Sequence, residues 1–155
     1  MIDLLTIGAP APQFTALSST GNPVSLADYR GKYVVLYFYP KDDTPGCTKE
    51  ACGFRDSYQE FEQNNVVILG VSKDSVASHQ KFQNKYQLPF VLLSDEDLAI
   101  CKAYHTWGQK SMYGRKYDGI FRVTYLIDPE GMIKQVFPKV DPVLHAKEML
   151  EAVKL

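Results

Sequence analysis

The chain of 155 residues predicts an α/β fold whose central sheet is parallel in part. Three observations carry that expectation. Apolar runs of strand length alternate with amphipathic helical stretches, which implies parallel strands joined by helical crossovers. Two later apolar runs flank Asp128-Pro129-Glu130-Gly131, the chemistry of a β-turn, and so add an antiparallel hairpin. A hydrophobic content of 45% in a chain of this length supplies one sizeable core and not two, so a single domain over residues 1–155 is expected.

Phe14-Thr15-Ala16-Leu17, with the turn residues Thr20-Gly21-Asn22-Pro23, predicts a short N-terminal β-hairpin. The continuous apolar run from Tyr33 to Tyr39 reads as a buried strand. A helix follows whose apolar stripe is Ala51, Phe54, Tyr58 and Phe61, and extending the stripe back four places points Cys47 inward at the N-terminal end. Val66 to Val71 forms a second buried strand, Asp74 or Ser75 caps a helix running to about Tyr86, and Phe90 to Leu93 forms a third strand. A further helix is expected around Glu96 to Tyr104. Residues 105–119 lack clear periodicity and are expected to form a loop, in which Trp107 and Tyr113 are given no role. Arg122 to Ile127 and Met132 to Phe137 make the late hairpin. Asp141 is expected to cap the last helix, with Pro142 at its first position and Val143, Ala146, Leu150 and Val153 as its apolar stripe.

Seventeen basic and eighteen acidic residues, interspersed for a net charge of −1, leave no footprint for nucleic acid or an anionic membrane. No apolar stretch approaches the roughly 18 residues of a membrane span, and Met1-Ile2-Asp3-Leu4-Leu5 lacks the basic and apolar regions of a signal peptide. A soluble cytoplasmic protein is expected. Three cysteines, an odd number, argue for thiols kept reduced and against a secreted disulfide scaffold. The histidines at 79, 105 and 145 share no ligand spacing with one another or with a cysteine, which speaks against a zinc site.

Cys47 and Cys52 sit where a loop rich in turn residues, Asp42-Asp43-Thr44-Pro45-Gly46, becomes the first helix. A helix N-terminus, with its unpaired N–H groups, is one of the few metal-free settings that lowers a thiol pKa from about 8.5 and so produces a nucleophilic thiolate. On an ideal helix, residues five apart lie roughly 8 to 9 Å apart at Cα. A disulfide tolerates about 7 Å. The pair therefore cannot close while the helix is intact, but closes easily once its first turns unwind. Two buried packing residues are the alternative reading. Taken alone, Thr44 reads as a capping hydroxyl, Pro40 as a strand terminator, Arg122 as a strand-edge charge and Cys101 as a structural thiol in an apolar helix.

Pro40-x-x-x-Thr44-x-x-Cys47 after an apolar strand resembles the signature of the peroxiredoxins, and the string from Phe38-Tyr39-Pro40 through Cys52 is similar to their Q, or bacterioferritin-comigratory, subgroup. The resemblance runs from Gly8-Ala9-Pro10-Ala11-Pro12-Gln13-Phe14 through Arg30-Gly31-Lys32 to Arg122-Val123-Thr124-Tyr125-Leu126-Ile127-Asp128. It implies a thioredoxin-like fold with a mixed sheet flanked by helices. It also implies Cys47 as peroxidatic cysteine and Cys52 as resolving cysteine, with Pro40, Thr44 and Arg122 completing the site. Each has a chemical rationale: a thiolate to attack the O–O bond, a hydroxyl and a fixed fork of donors to polarise it, and a proline to shield the thiol.

The resemblance further implies reduction of a hydroperoxide through a Cys47 sulfenic acid and a Cys47–Cys52 disulfide, recycled by thioredoxin or a similar dithiol, with no haem, flavin or metal cofactor. Both thiols lie in one chain, so a monomer is expected. Family members prone to over-oxidation carry a C-terminal Tyr-Phe tail and a Gly-Gly-Leu-Gly segment, neither of which occurs here, so relative resistance to over-oxidation is expected. Two rival classes remain: a dithiol oxidoreductase, which normally uses Cys-x-x-Cys, and a non-catalytic redox sensor.

Overall fold

The computed structural model describes residues 3–154. Five strands form the central sheet: β3 (Tyr33–Phe38), β4 (Val66–Ser72), β5 (Val91–Ser94), β8 (Thr124–Ile127) and β9 (Ile133–Phe137). Their order is β5-β4-β3-β8-β9. β3, β4 and β5 are parallel, and β8 and β9 are antiparallel to their neighbours. The sheet is mixed, as expected.

The central strand decides the layering through its period of two. Val35, Tyr37 and Tyr39 bury one face of the sheet against α1 (Pro45–Asp56), α2 (Tyr58–Gln63), α3 (Val76–Tyr86) and α5 (His145–Lys154). Val34, Leu36 and Phe38 bury the other against α4 (Ala99–Ala103) and the N-terminal segment. Helices therefore cover both faces. The N-terminal hairpin is β1 (Thr15–Leu17) with β2 (Pro23–Ser25), followed by a 3₁₀ turn at Leu26–Tyr29. Isolated bridges from Ser18 to Leu93 and from Pro10 to Met132 tie this segment to the sheet.

Several boundaries depart from expectation. The first helix is two: Ser57 leaves helical geometry with ψ near 7°, so the stripe continues into α2 after a break. Ser75 is the cap of α3, accepting from the Ser78 N–H at 3.1 Å. The helix expected from Glu96 begins only at Ala99, because Leu98 is left-handed, φ 64°, and Asp95 accepts the Ile100 and Cys101 N–H groups. Asp141 holds a turn through the Val143 N–H at 2.9 Å, and α5 starts at His145. Val143 is exposed; the buried stripe runs through His145, Ala146, Met149, Leu150, Ala152 and Val153.

The largest correction concerns residues 105–119. They form a hairpin, β6 (Trp107–Met112) with β7 (Arg115–Ile120), closed by the two-residue turn Tyr113-Gly114. Both turn residues have positive φ, 52° and 76°, as the tight primed turns of hairpins require. The hairpin escapes a periodicity search because it is solvated for most of its length and never alternates apolar with polar. Arg122 precedes β8 and is not on it, since β8 begins at Thr124.

Gly70 on β4 pairs with Tyr37 on β3. A β-carbon at 70 would lie 2.8 Å from Tyr37 Cζ and 2.9 Å from Leu92 Cδ2, so glycine is what lets the Tyr37 ring lie across the strand. Gly70→Ala is expected to cost about 1 to 3 kcal/mol through overpacking. Urea denaturation measures it, and an unchanged midpoint would mean that the ring moves aside without cost.

Candidate active site

Cys47 is the third residue of α1, behind Pro45 at the first helical position and Thr44, whose extended backbone starts the helix. Proline fits there because the first N–H has no helical partner. Cys47 is 1% exposed and faces the core, as its stripe predicts. Arg122 reaches it from the link between β7 and β8, with Nη2 donating to Cys47 Sγ at 3.2 Å. A β-carbon at Gly46 would lie 3.3 Å from the same Nη2 and 3.7 Å from Pro142 Cγ. Glycine before the cysteine therefore leaves room for the guanidinium.

The other face of the guanidinium is occupied by a residue the sequence reading missed. Arg122 Nη1 donates to Glu50 Oε1 at 2.7 Å, and the Glu50 side chain is fully buried. Burial pushes the Glu50 carboxyl up to about 7 from an ordinary 4.5, although Arg122 pulls it down. Behind it lies His145, with Nε2 3.9 Å from Glu50 Oε2 and 2.8 Å from Thr124 Oγ1. Burial, with Arg122 adding, pushes the imidazole down to about 4, so it is neutral near pH 7. Glu50 Oε2, His145 Nδ1 and the Tyr37 hydroxyl are buried without a hydrogen-bond partner among the described residues. The available signal for Glu50 was a charge on the inward stripe, three residues after Cys47.

Thr44 and Pro40 are near in sequence but less direct. The Thr44 hydroxyl donates to the Lys41 carbonyl at 3.0 Å and makes no hydrogen bond to the thiol. Pro40 follows β3 and is half-buried in the connection to α1. That connection is braced from below. Asp42 accepts from the Tyr39 hydroxyl at 2.6 Å and the Ser78 hydroxyl at 2.8 Å, and lies 2.8 Å from His79 Nδ1. His79 Nε2 is 2.9 Å from the Leu93 carbonyl. Asp42, Asp74 and His79 bring ligand atoms within 4.8 Å of one another, but both His79 nitrogens and both Asp42 oxygens are already engaged, so the cluster acts as a brace.

Cys52 lies five residues along the same helix, half-buried, and burial raises its pKa. All three cysteines are free thiols. Cys101 is fully buried on α4, and burial together with Asp95 raises its thiol well above the ordinary value. The arrangement unites Cys47 and Arg122, adds Glu50, and leaves Cys52 at helical distance.

The AhpC/TSA family model matches residues 7–136. The chain belongs to that family. Its sequence is 53% identical over 146 residues to a putative peroxiredoxin bcp of Coxiella burnetii, covering 94% of this chain and 97% of that one. The structure of a Xylella fastidiosa PrxQ mutant superposes with a TM-score of 0.92 at 38% identity, covering 98% and 97% of the two chains. A Xanthomonas campestris bacterioferritin comigratory protein, described by its alkyl peroxide reduction activity, superposes at 0.89 with 40% identity and 98% coverage of each chain. Within the family the chain is a peroxiredoxin of the Q or bacterioferritin-comigratory type, a thiol-dependent peroxidase on a thioredoxin-like fold. No helix among the described residues is long and apolar enough to cross a membrane.

The Glu50 carboxyl gives the site a pH dependence whose sign follows from its burial. Its folded pKa, about 7, exceeds the ordinary 4.5, so its contribution to the folded helix is complete below about pH 4.5 and is lost as pH rises through 7. Unwinding the first turns of α1 returns Glu50 to water. Amide protection in α1, corrected for intrinsic exchange, is expected to fall by roughly 1 to 3 kcal/mol between pH 5 and 8. In Glu50→Gln that decline disappears. Flat protection in the parent would mean that Arg122 outweighs burial at Glu50.

Proposed function

We propose that Cys47 is the peroxidatic nucleophile and Cys52 its resolving partner, with Arg122 and Thr44 polarising the peroxide and Pro40 shielding the thiol. The observation that carries this is the contact of the Arg122 guanidinium with Cys47 Sγ at the first turn of a helix. A guanidinium cannot lose its proton near neutrality, so its N–H on sulfur favours thiolate over thiol, and the helix N-terminus acts in the same direction.

The Cys47 thiolate attacks the distal oxygen of a hydroperoxide in line with the O–O bond. An S–O bond forms, the O–O bond breaks, and its electron pair leaves with the alkoxide or hydroxide, which takes up a proton as alcohol or water. Arg122 stabilises the charge moving onto oxygen. Thr44, three residues before the thiol, turns its hydroxyl from the Lys41 carbonyl to the peroxide. Cys47 is left as sulfenic acid, oxidised by two electrons.

Cys52 then attacks the sulfenic sulfur and expels water, forming a disulfide. At roughly 8 to 9 Å between Cα atoms on an intact helix, this step requires α1 to unwind first. A dithiol protein of thioredoxin type resets the pair by exchange, taking the two electrons' worth of oxidation. Hydrogen peroxide and organic hydroperoxides are the substrate class. Because both thiols are in one chain, turnover needs no second copy, which favours a monomer. An odd number of cysteines in a chain of ordinary size favours a reducing cytoplasmic setting over a secreted disulfide scaffold.

One equivalent of hydrogen peroxide, followed within seconds by a thiol-alkylating quench and peptide mass mapping, tests the assignment. A Cys47–Cys52 disulfide is expected in the parent and a Cys47 sulfenic acid in Cys52→Ser. Slow, scattered oxidation would sink the assignment. In the same experiment Cys101 is expected to stay unalkylated in the folded protein and to react only in denaturant, since a buried thiol with a raised pKa supplies little thiolate. Rapid native labelling of Cys101 would contradict that.

A further inference from the structure

We infer that Lys110 is a second cation of the Cys47 site, held across Gly119 so that its ammonium favours the Cys47 thiolate beside Arg122. This rests on the reading of Cys47 as the nucleophile. The hairpin that the sequence did not reveal supplies the residue. Lys110 lies on β6, and Gly119 on β7 faces its stem: a β-carbon at 119 would sit 2.9 Å from Lys110 Cδ and 3.8 Å from its Cγ. Gly119 has no left-handed backbone to explain it, unlike Gly114 in the turn of the same hairpin. Its use is the room it gives the lysine.

With its stem folded over Gly119, Lys110 is half-buried and points towards the active-site end of the hairpin. Nζ donates to the Ile120 carbonyl at 2.9 Å and lies 5.9 Å from the centre of the Phe121 ring. Ile120 and Phe121 are the two residues immediately before Arg122. The ammonium has three donors and this carbonyl takes one.

The charge balance gives Lys110 something to do. Glu50 sits against Arg122, so wherever Glu50 is ionised the Arg122 charge acting on Cys47 is partly cancelled. A second cation restores the surplus. Burial first, and then the like charge of Arg122, lower the ammonium's hold on its proton, while the Cys47 thiolate raises it. Held on the Ile120 carbonyl, two residues before the arginine that touches the sulfur, the ammonium brings its charge to the side of the site from which Arg122 reaches Cys47. Around Cys47 stand Arg122 from the β7–β8 link, in contact with the sulfur, Lys110 from β6, the Tyr37 hydroxyl from β3, and Glu50 from its own helix, which reaches the site through Arg122.

The test uses the Cys52→Ser background, where alkylation of Cys47 by iodoacetamide is followed against pH by peptide mass spectrometry. Lys110→Met keeps the stem and removes the charge. It is expected to raise the alkylation midpoint by about half to one pH unit and to slow reaction with hydrogen peroxide about three- to tenfold at a pH below that midpoint. The deficit should shrink at higher pH, where the thiolate is complete. Lys110→Arg is expected to keep the midpoint, which a purely structural role would not require. Gly119→Ala displaces the stem with the charge retained, and should shift the midpoint in the same direction; it also serves if Lys110→Met folds poorly. Equal midpoints in parent and folded Lys110→Met would overturn the inference. If the parent reacts with peroxide no faster than a free thiol, the peroxidase assignment fails, while the alkylation midpoints still decide whether Lys110 acts on Cys47.

Discussion

The Arg122 guanidinium is the interaction on which the rest of the site depends. Its Nη2 touches the Cys47 sulfur and its Nη1 the Glu50 carboxylate, while most of the side chain is out of water. Burying a charge is costly unless it is paired and hydrogen-bonded. The fold meets that condition by placing Cys47 and Glu50 one helical turn apart on α1, so both reach the same fork. Gly46 must then be small, α5 must close over the helix, and the link before β8 must deliver Arg122 from the opposite side of β3. Removing the arginine would leave Glu50 buried without its partner as well as Cys47 without its donor.

The same helix has to be intact for Arg122 to reach Cys47 and unwound for Cys47 to reach Cys52. The contacts around it fit that double requirement. Deep in the fold, Phe54 packs on Tyr37 with ring centres 4.9 Å apart, and on Phe61, Phe90 and His145, which holds the C-terminal half of α1 against the sheet. At its end, Arg55 Nη1 donates to the Tyr86 carbonyl at 2.9 Å. The N-terminal half buries only the small side chains of Cys47 and Ala51 in that core, and the loop before it is held by polar ties. The brace of Asp42 fixes the approach to the helix, and Asp43, with φ 57°, is clasped by Lys85 and the Tyr86 hydroxyl at the surface. Exposed pairs of that kind contribute at most about 1 kcal/mol each. Opening of the first turns therefore leaves the aromatic core in place, which is what a reversible cycle needs.

The sequence disclosed what periodicity and turn chemistry encode. The apolar run of β3, the alternation that makes β4 and β5 parallel, and the inward placement of Cys47 all follow from spacing. So does the Asp128-Pro129-Glu130-Gly131 turn, where Gly131 takes φ 85° and its N–H bonds the Asp128 carbonyl at 2.9 Å. The break at Ser57 was hidden because a stripe can continue in phase across a kink. Arg122 was assigned to the strand because it abuts an apolar run, although the β ladder starts two residues later. The roles of Glu50 and His145 lie in pairings across elements, 72 and 95 residues from Arg122 and Glu50 respectively, and no local pattern records those.

The β6–β7 hairpin is the instructive omission, because its lack of pattern and its part in the site have one cause. A strand acquires alternation by burying one face, and this ribbon buries little beyond Trp107, Gly108, Lys110 and its final residues. Without a core to serve, its residues are free to serve the site: Gly119 gives up a side chain to seat Lys110, and the ribbon's end presents Phe121 and Arg122. Residues that break local rules are expected where function outweighs packing. A glycine with no left-handed backbone, over which a lysine stem from the neighbouring strand lies, three residues before the arginine that contacts the thiol, is such a place.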